Sequence, residues 1–117
     1  MTVSVVICAY ADERWDDLVA AVASVRAQTR PPLELVVVVD HNPTLVGRVR
    51  AAWPDVVAVE NGGARGLSSA RNTGVAAARG DVVAFLDDDA VAEPDWLERL
   101  LAPYADERVA PLRRGIA

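Results

Sequence analysis

Val82-Val83-Ala84-Phe85-Leu86-Asp87-Asp88-Asp89 is the stretch whose reading decides the architecture. Apolar residues run directly into three consecutive carboxylates. The run is short and β-rich, and Arg79-Gly80-Asp81 ahead of it is a turn signal, so the pattern predicts a fully buried strand. Three adjacent acids repel one another, and their pKa values rise unless a cation or strong donors offset the charge. A hard divalent metal, which prefers oxygen ligands, is the simplest offset. A solvated acidic turn is the bland alternative, and the flanking sequence has to decide between them.

Upstream, the chain alternates. Val3 to Ala9 is a continuous apolar run, read as a buried strand. Asp12, Glu13 and Asp16 crowd the start of a helix, where the macrodipole favours acids. Leu18, Val22 and Val25 form its apolar face. Leu33 to Val39 reads as a second strand, closed by the turn cluster Asp40-His41-Asn42-Pro43. Leu45, Val49 and Ala52 suggest a second helix, stopped by Pro54. Val56 to Val59 is a short third strand. The glycine-rich loop Asn61-Gly62-Gly63-Ala64-Arg65-Gly66 comes next. Ser68 or Ser69 can cap a third helix through Ala78, with Gly80 as its C′ residue. After the acids, Glu93-Pro94 opens a last helix with Trp96, Leu97, Leu100 and Leu101 on its apolar side.

This β-α-β-α-β-α-β-α order predicts an α/β fold, with a mostly parallel sheet and helices on both faces. Ligands of such sheets sit at the carboxyl ends of the strands. Tyr10 and Glu13, Asp40, the segment Asn61 to Arg71, and Asp87 to Asp89 should therefore converge on one edge.

Composition narrows the chemistry. The 117 residues are 52% hydrophobic, enough for one globular domain. A formal net charge of -5 argues against a nucleic-acid surface. The single cysteine, Cys8, permits no internal disulfide and reads as a buried small hydrophobe. No apolar run is long enough to span a membrane. The first residues lack a basic n-region. A cytoplasmic protein, with the cytoplasmic face of a membrane as a variant, is the default expectation.

Several familiar sites are excluded. Cys8-Ala9-Tyr10-Ala11 after the first strand has no glycine for a dinucleotide fingerprint. The chain contains no lysine, so it has neither a P-loop nor the late lysine of a phospho-acceptor receiver. Gly66-Leu67-Ser68-Ser69-Ala70 is half a nucleophile elbow, and a helix cap explains those serines better. His41 beside Asp40 reads as a turn residue rather than a metal ligand. What remains suits a nucleoside diphosphate: carboxylates for a metal that bridges two phosphates, a glycine-rich loop, and Arg71 offering a planar fork. Asp40 can accept hydrogen bonds from a base edge.

These pieces resemble the N-terminal, nucleotide-binding half of a family 2 glycosyltransferase of the Rossmann-like GT-A fold. They are Ser4 to Tyr10, Ser24 to Gln28, Val36 to Asp40, Asn61, Gly66 to Gly80, Phe85 to Asp89, and Pro94 to Leu97. The combination of Ala70-Arg71-Asn72-x-Gly74 with Leu86-Asp87-Asp88-Asp89 is the most specific. The resemblance implies a D-x-D motif, with Asp89 as metal ligand and Asp87 on the ribose or a metal-bound water. Asp88 would orient the sugar. It further implies Asp40 on the base, Ala9 and Tyr10 along it with Tyr10 stacking, and Glu13, or else Asp12, near the ribose. Gly66 and Arg71 would wall the nucleotide. Asn72 and Gly74 are open between functional and structural roles, a helix side-chain bond and a close backbone approach.

The cofactor implied is Mn2+ or Mg2+, and the donor a UDP-, dTDP- or GDP-sugar, transferred with inversion to an acceptor hydroxyl. Residues 1–109 are expected to be a shortened glycosyltransferase domain and 110–117 an atypical, strandless tail from a truncation or frame change. The general base is expected beyond Ala117. An exposed sheet edge would then allow self-association. The alternatives are a non-catalytic nucleotide-binding or assembly module of the same fold, and a nucleotidyltransferase, which would want a basic glycine-rich loop after the first strand.

Overall fold

The structure is a computed structural model that describes residues 1–105 and 115–116. Its strands are β1 (Val3–Ala9), β2 (Glu34–Asp40), β3 (Val57–Asn61), β4 (Val82–Asp87) and β5 (Gly115–Ile116). Its α-helices are α1 (Trp15–Arg26), α2 (Pro43–Ala52), α3 (Leu67–Ala77) and α4 (Trp96–Leu101). The strands form one sheet in the order β3-β2-β1-β4-β5, and every pairing is parallel.

Side-chain parity explains the layers, because successive strand residues point to opposite faces. Val3, Val5, Ile7 and Ala9 join Leu35, Val37, Val39, Val82 and Ala84 in one cluster with Leu18, Val22 and Val25 of α1, Leu45 and Val49 of α2, and Leu97 and Leu101 of α4. Val6, Val36, Val38 and Val83 form the other cluster with Ala70 of α3. Both faces are thus covered, which is why β1 and β2 read as unbroken apolar runs. At Gly74, α3 lies against the sheet so closely that a Cβ would come within 2.5 Å of Val6 Cγ1. Close approach is therefore its role.

Several local expectations need correcting. Asp12 and Glu13 lie in a short 3-10 turn, Asp12–Arg14, and α1 begins at Trp15. The cap of α3 is Gly66, not a serine, at φ 119°. That left-handed backbone suits glycine. Ser69 Oγ instead donates to Asn61 Oδ1 at 3.3 Å. Gly80 is not a left-handed C′ residue; its N–H donates to Ser4 Oγ at 2.8 Å across a tight backbone approach. Ala52 is exposed, and Asn42 caps α2 by accepting from Leu45 N at 3.1 Å. The tail is not strandless, since Gly115–Ile116 pair with Val82 and Val83 of β4. The boundary at Val109 and residues 110–114 lie outside the described residues. No described helix is long and apolar enough to cross a membrane.

The segment Ser24 to Gln28 has a structural job. Gln28 is buried; its Nε2 donates to the carbonyls of Ser24 (3.1 Å) and Glu93 (2.7 Å), and its Oε1 accepts from Leu97 N (2.9 Å). Ser24 Oγ accepts from Ala92 N at 3.0 Å. These bonds pin the chain leaving the acidic turn to the end of α1, and they supply a partner to a backbone N–H at the start of α4.

Candidate functional site

The chain steps from β1 to β2 to β3 in one direction, then crosses back through α3 to lay β4 on the other side of β1. A crevice opens at the carboxyl ends where strand order reverses. Here Cys8 is in register with Asp87. A cavity of about 440 Å³ occupies that crevice, lined by residues including Ala9, Tyr10, Asp40, Gly66, Arg71 and Asp87 to Asp89. The convergence expected from the sequence is therefore present for Tyr10, Asp40, Gly66, Arg71 and Asp87 to Asp89, and Ala9 joins them. Glu13 is exposed and absent from the lining. Asp12 accepts from Asn42 Nδ2 at 3.3 Å.

The three acids are not equivalent. Asp87 and Asp89 are exposed, whereas Asp88 is 5% exposed. Ala84 and Leu86 face the α1 side of the sheet, and Asp88 continues that parity toward Arg14. Arg14 Nη1 donates to Asp88 Oδ1 at 2.9 Å and lies 3.9 Å from Asp89 Oδ2. Asp88 Oδ2 is buried without a hydrogen-bond partner. Burial pushes the Asp88 carboxyl above its ordinary value; the Arg14 bond and charge oppose this, while Asp89 and Asp87 reinforce it.

Asp40 is held by its neighbours. Its Oδ1 accepts from Asn61 Nδ2 at 2.9 Å and lies 2.6 Å from His41 Nδ1, and its Oδ2 accepts from Gly66 N at 3.0 Å. Burial resists ionisation, yet the Gly66, Asn61 and His41 hydrogen bonds and the His41 charge together hold this carboxyl below the usual carboxylate value. The resulting stability is present above the unfolded pKa of about 3.9 and is lost as pH falls through the lower folded value. Asp40→Asn should therefore flatten the acid limb of a plot of thermal midpoint against pH below about pH 4. An acid limb as steep as that of the wild type would refute the assignment.

Asn61, 2% exposed, is the hub behind this wall. Its Nδ2 also donates to the Ala64 carbonyl (3.0 Å), while its Oδ1 accepts from Gly63 N (3.3 Å), Ser69 Oγ (3.3 Å) and Thr73 Oγ1 (2.9 Å). Arg71, on α3, also lines the cavity, and its guanidinium carbon is 5.2 Å from the Phe85 ring centre. Arg71 has no carboxylate partner among the described residues. Tyr10 is 56% exposed, and the Arg14 guanidinium carbon lies over its ring, 5.5 Å from the centre. Burial above all raises the Cys8 thiol to about 11, against the opposing charge of Arg71, which leaves it protonated at neutral pH. Asn72 is exposed and its side chain makes no hydrogen bond among the described residues, so the helix side-chain bond is not seen.

Sequence reasoning missed Arg14, the hub role of Asn61, and His41 as a partner of Asp40. His41 has φ 52°, a left-handed conformation that few non-glycine residues adopt. A signal for Arg14 existed: a buried aspartate needs a cation, and a chain with no lysine and one histidine has mainly arginines to offer.

The chemistry of the donor set fits a hard divalent cation. Asp87 and Asp89 present exposed carboxylates at the cavity, and Asp88 Oδ2 is an unsatisfied acceptor. Among the described residues no group of three or more His, Cys, Asp or Glu is placed to hold a metal ion by itself. Mg2+ commonly shares one or two carboxylates with substrate phosphates rather than relying on an all-protein cage.

The fold is an α/β domain of the GT-A, Rossmann-like type. The profile of Glycosyl transferase family 2 matches residues 4–115, and the chain belongs to that family. It is 49% identical over 107 residues to a glucosyl-dolichyl phosphate glucuronosyltransferase of Haloferax volcanii, spanning 89% of this chain and 34% of that protein. It superposes on S. aureus TarS 1-349 in complex with UDP with a TM-score of 0.72 at 21% identity, covering 87% of this chain and 31% of that one. The UDP-GlcNAc complex of the same protein gives 0.66 at 22% identity, covering 87% and 30%. The chain thus spans about a third of the length of these relatives.

Proposed function

We propose that the crevice receives the nucleoside diphosphate part of a sugar donor, together with Mn2+ or Mg2+, for inverting transfer to an acceptor hydroxyl. The observation that carries this reading is the gathering of Tyr10, Asp40, Arg71 and the three acids around one cavity. Tyr10 stacks on the base, Ala9 packs along it, and Asp40 meets the base edge. Gly66 and Arg71 wall the nucleotide, and Arg71 offers its unpaired fork to phosphate. Asp87 and Asp89 hold the cation, with Asp87 also contacting the ribose. Asp88 orients the sugar. When bound, the cation supplies neutralisation of charge on the departing diphosphate. The domain works in the cytoplasm, with the cytoplasmic face of a membrane as the variant reading.

UDP, matched by the TarS complex, is the first nucleotide to try, with dTDP and GDP beside it. Calorimetry of the 117-residue chain should show binding with Mn2+ and little without it. A folded chain that binds none of the three nucleotides with the metal would sink the reading.

A further inference from the structure

We infer that Arg14 is a positioning residue and built-in cation of this donor site, so that the acidic turn takes up a divalent metal together with the diphosphate rather than before it. The inference rests on the donor-site reading and concerns a residue outside the motifs that led to it. Arg14 sits at the junction of the 3-10 turn and α1, where its N–H donates to the Ala11 carbonyl at 3.2 Å. From there its side chain lines the cavity, bonds Asp88 at 2.9 Å, approaches Asp89 to 3.9 Å, and lies 5.5 Å from the centre of the Tyr10 ring. One group thereby ties the acidic turn of β4 to the platform just after β1.

The charges give Arg14 two opposite effects. A positive group beside Asp89 repels a free divalent cation approaching that carboxylate. The same group attracts a diphosphate, and a guanidinium carries five N–H donors, of which Asp88 Oδ1 uses one. Asp88 is not exhausted either, because its buried Oδ2 has no partner. Arg71 of α3 lines the same cavity, so an entering diphosphate meets two arginines. Bare metal is disfavoured at such a turn, and metal accompanied by phosphate is favoured.

Arg14→Ala and Arg14→Lys separate this from a simple buttress. Titrated with Mn2+ alone at low salt, Arg14→Ala should bind about three- to tenfold more tightly than wild type, an effect that salt erodes. Titrated with UDP in saturating Mn2+, it should bind about tenfold more weakly, the cost of one charged hydrogen-bonding partner. Arg14→Lys keeps the charge, so it should return the Mn2+ affinity to the wild-type level. It should recover only part of the UDP affinity, since it lacks the planar fork. A buttress would weaken both titrations in Arg14→Ala, and that result, or two unchanged titrations, overturns the inference while leaving the donor site standing. If wild type binds no nucleotide, the donor-site reading fails and this one with it.

Discussion

Asp89→Ala should remove the metal dependence of UDP binding and leave the fold intact. The side chain of Asp89 is 53% exposed, and its charged neighbour Arg14 stays 3.9 Å away, so little packing or hydrogen bonding depends on it. Its removal deletes a hard oxygen donor at the mouth of the cavity. Partners that merely orient a metal ligand cost roughly 10–100-fold in affinity when lost, so loss of the ligand itself should cost about 100-fold or more. Calorimetry across a Mn2+ series, beside a thermal melt, reads both halves of the claim. A variant that melts like wild type and keeps its metal dependence would remove Asp89 from the donor set. Asp88→Ala is the informative contrast. Asp88 is buried and paired with Arg14, so its loss should disturb the turn as well as the ligand.

Gly80→Ala should be the most damaging small substitution away from the cavity. A Cβ there would lie 2.7 Å from Ser4 N, 2.7 Å from Ser4 Oγ and 2.9 Å from the Val3 carbonyl carbon. Two of those atoms are backbone, and β1 is hydrogen-bonded to β2 on one side and β4 on the other, so it cannot step aside. The same shift would strain a buried network in which Ser4 Oγ donates to Glu34 Oε2 at 2.6 Å and accepts from Gly80 N. Overpacking of this kind costs about 3 kcal/mol at the upper end of its usual range. For a domain of this size that is a melting temperature roughly 10–20 °C lower. Circular dichroism against temperature measures it, and an unchanged midpoint would mean that β1 yields at Ser4.

The elements and their order are legible in the sequence because burial on both faces leaves a plain mark. The apolar run Val3 to Ala9 has the same bounds as β1, and the runs for β2 and β3 are displaced by one or two residues at their ends. The edge strand β3 is only partly buried, and its polar end Glu60-Asn61 hides its length. Strand-end chemistry is legible as well, since an open parallel sheet gathers the loops at the carboxyl ends of its strands. Partnerships are not. Nothing local to Asp88 names Arg14, 74 positions away, as its cation. Nothing local to Ser69 says that its hydroxyl serves Asn61 rather than the start of its own helix. Glu13 shows the converse limit: its place just after β1 suggests the crevice, but the 3-10 turn leaves it outside the lining. The unequal burial of the three acids is within reach, because strand parity assigns Asp88 to the side opposite Asp87.

The Asn61 amide meets five partners in Asp40, Gly63, Ala64, Ser69 and Thr73, and through them β3, the end of β2, the glycine-rich loop and α3 share one joint. That wall is already set before any ligand arrives. On the proposed reading, a nucleotide docking there would give up its own freedom without having to freeze a wandering loop, which would otherwise subtract from its affinity. Association at this edge should therefore be fast and close to rigid-body, with differences among nucleotides expressed mainly in how quickly they leave.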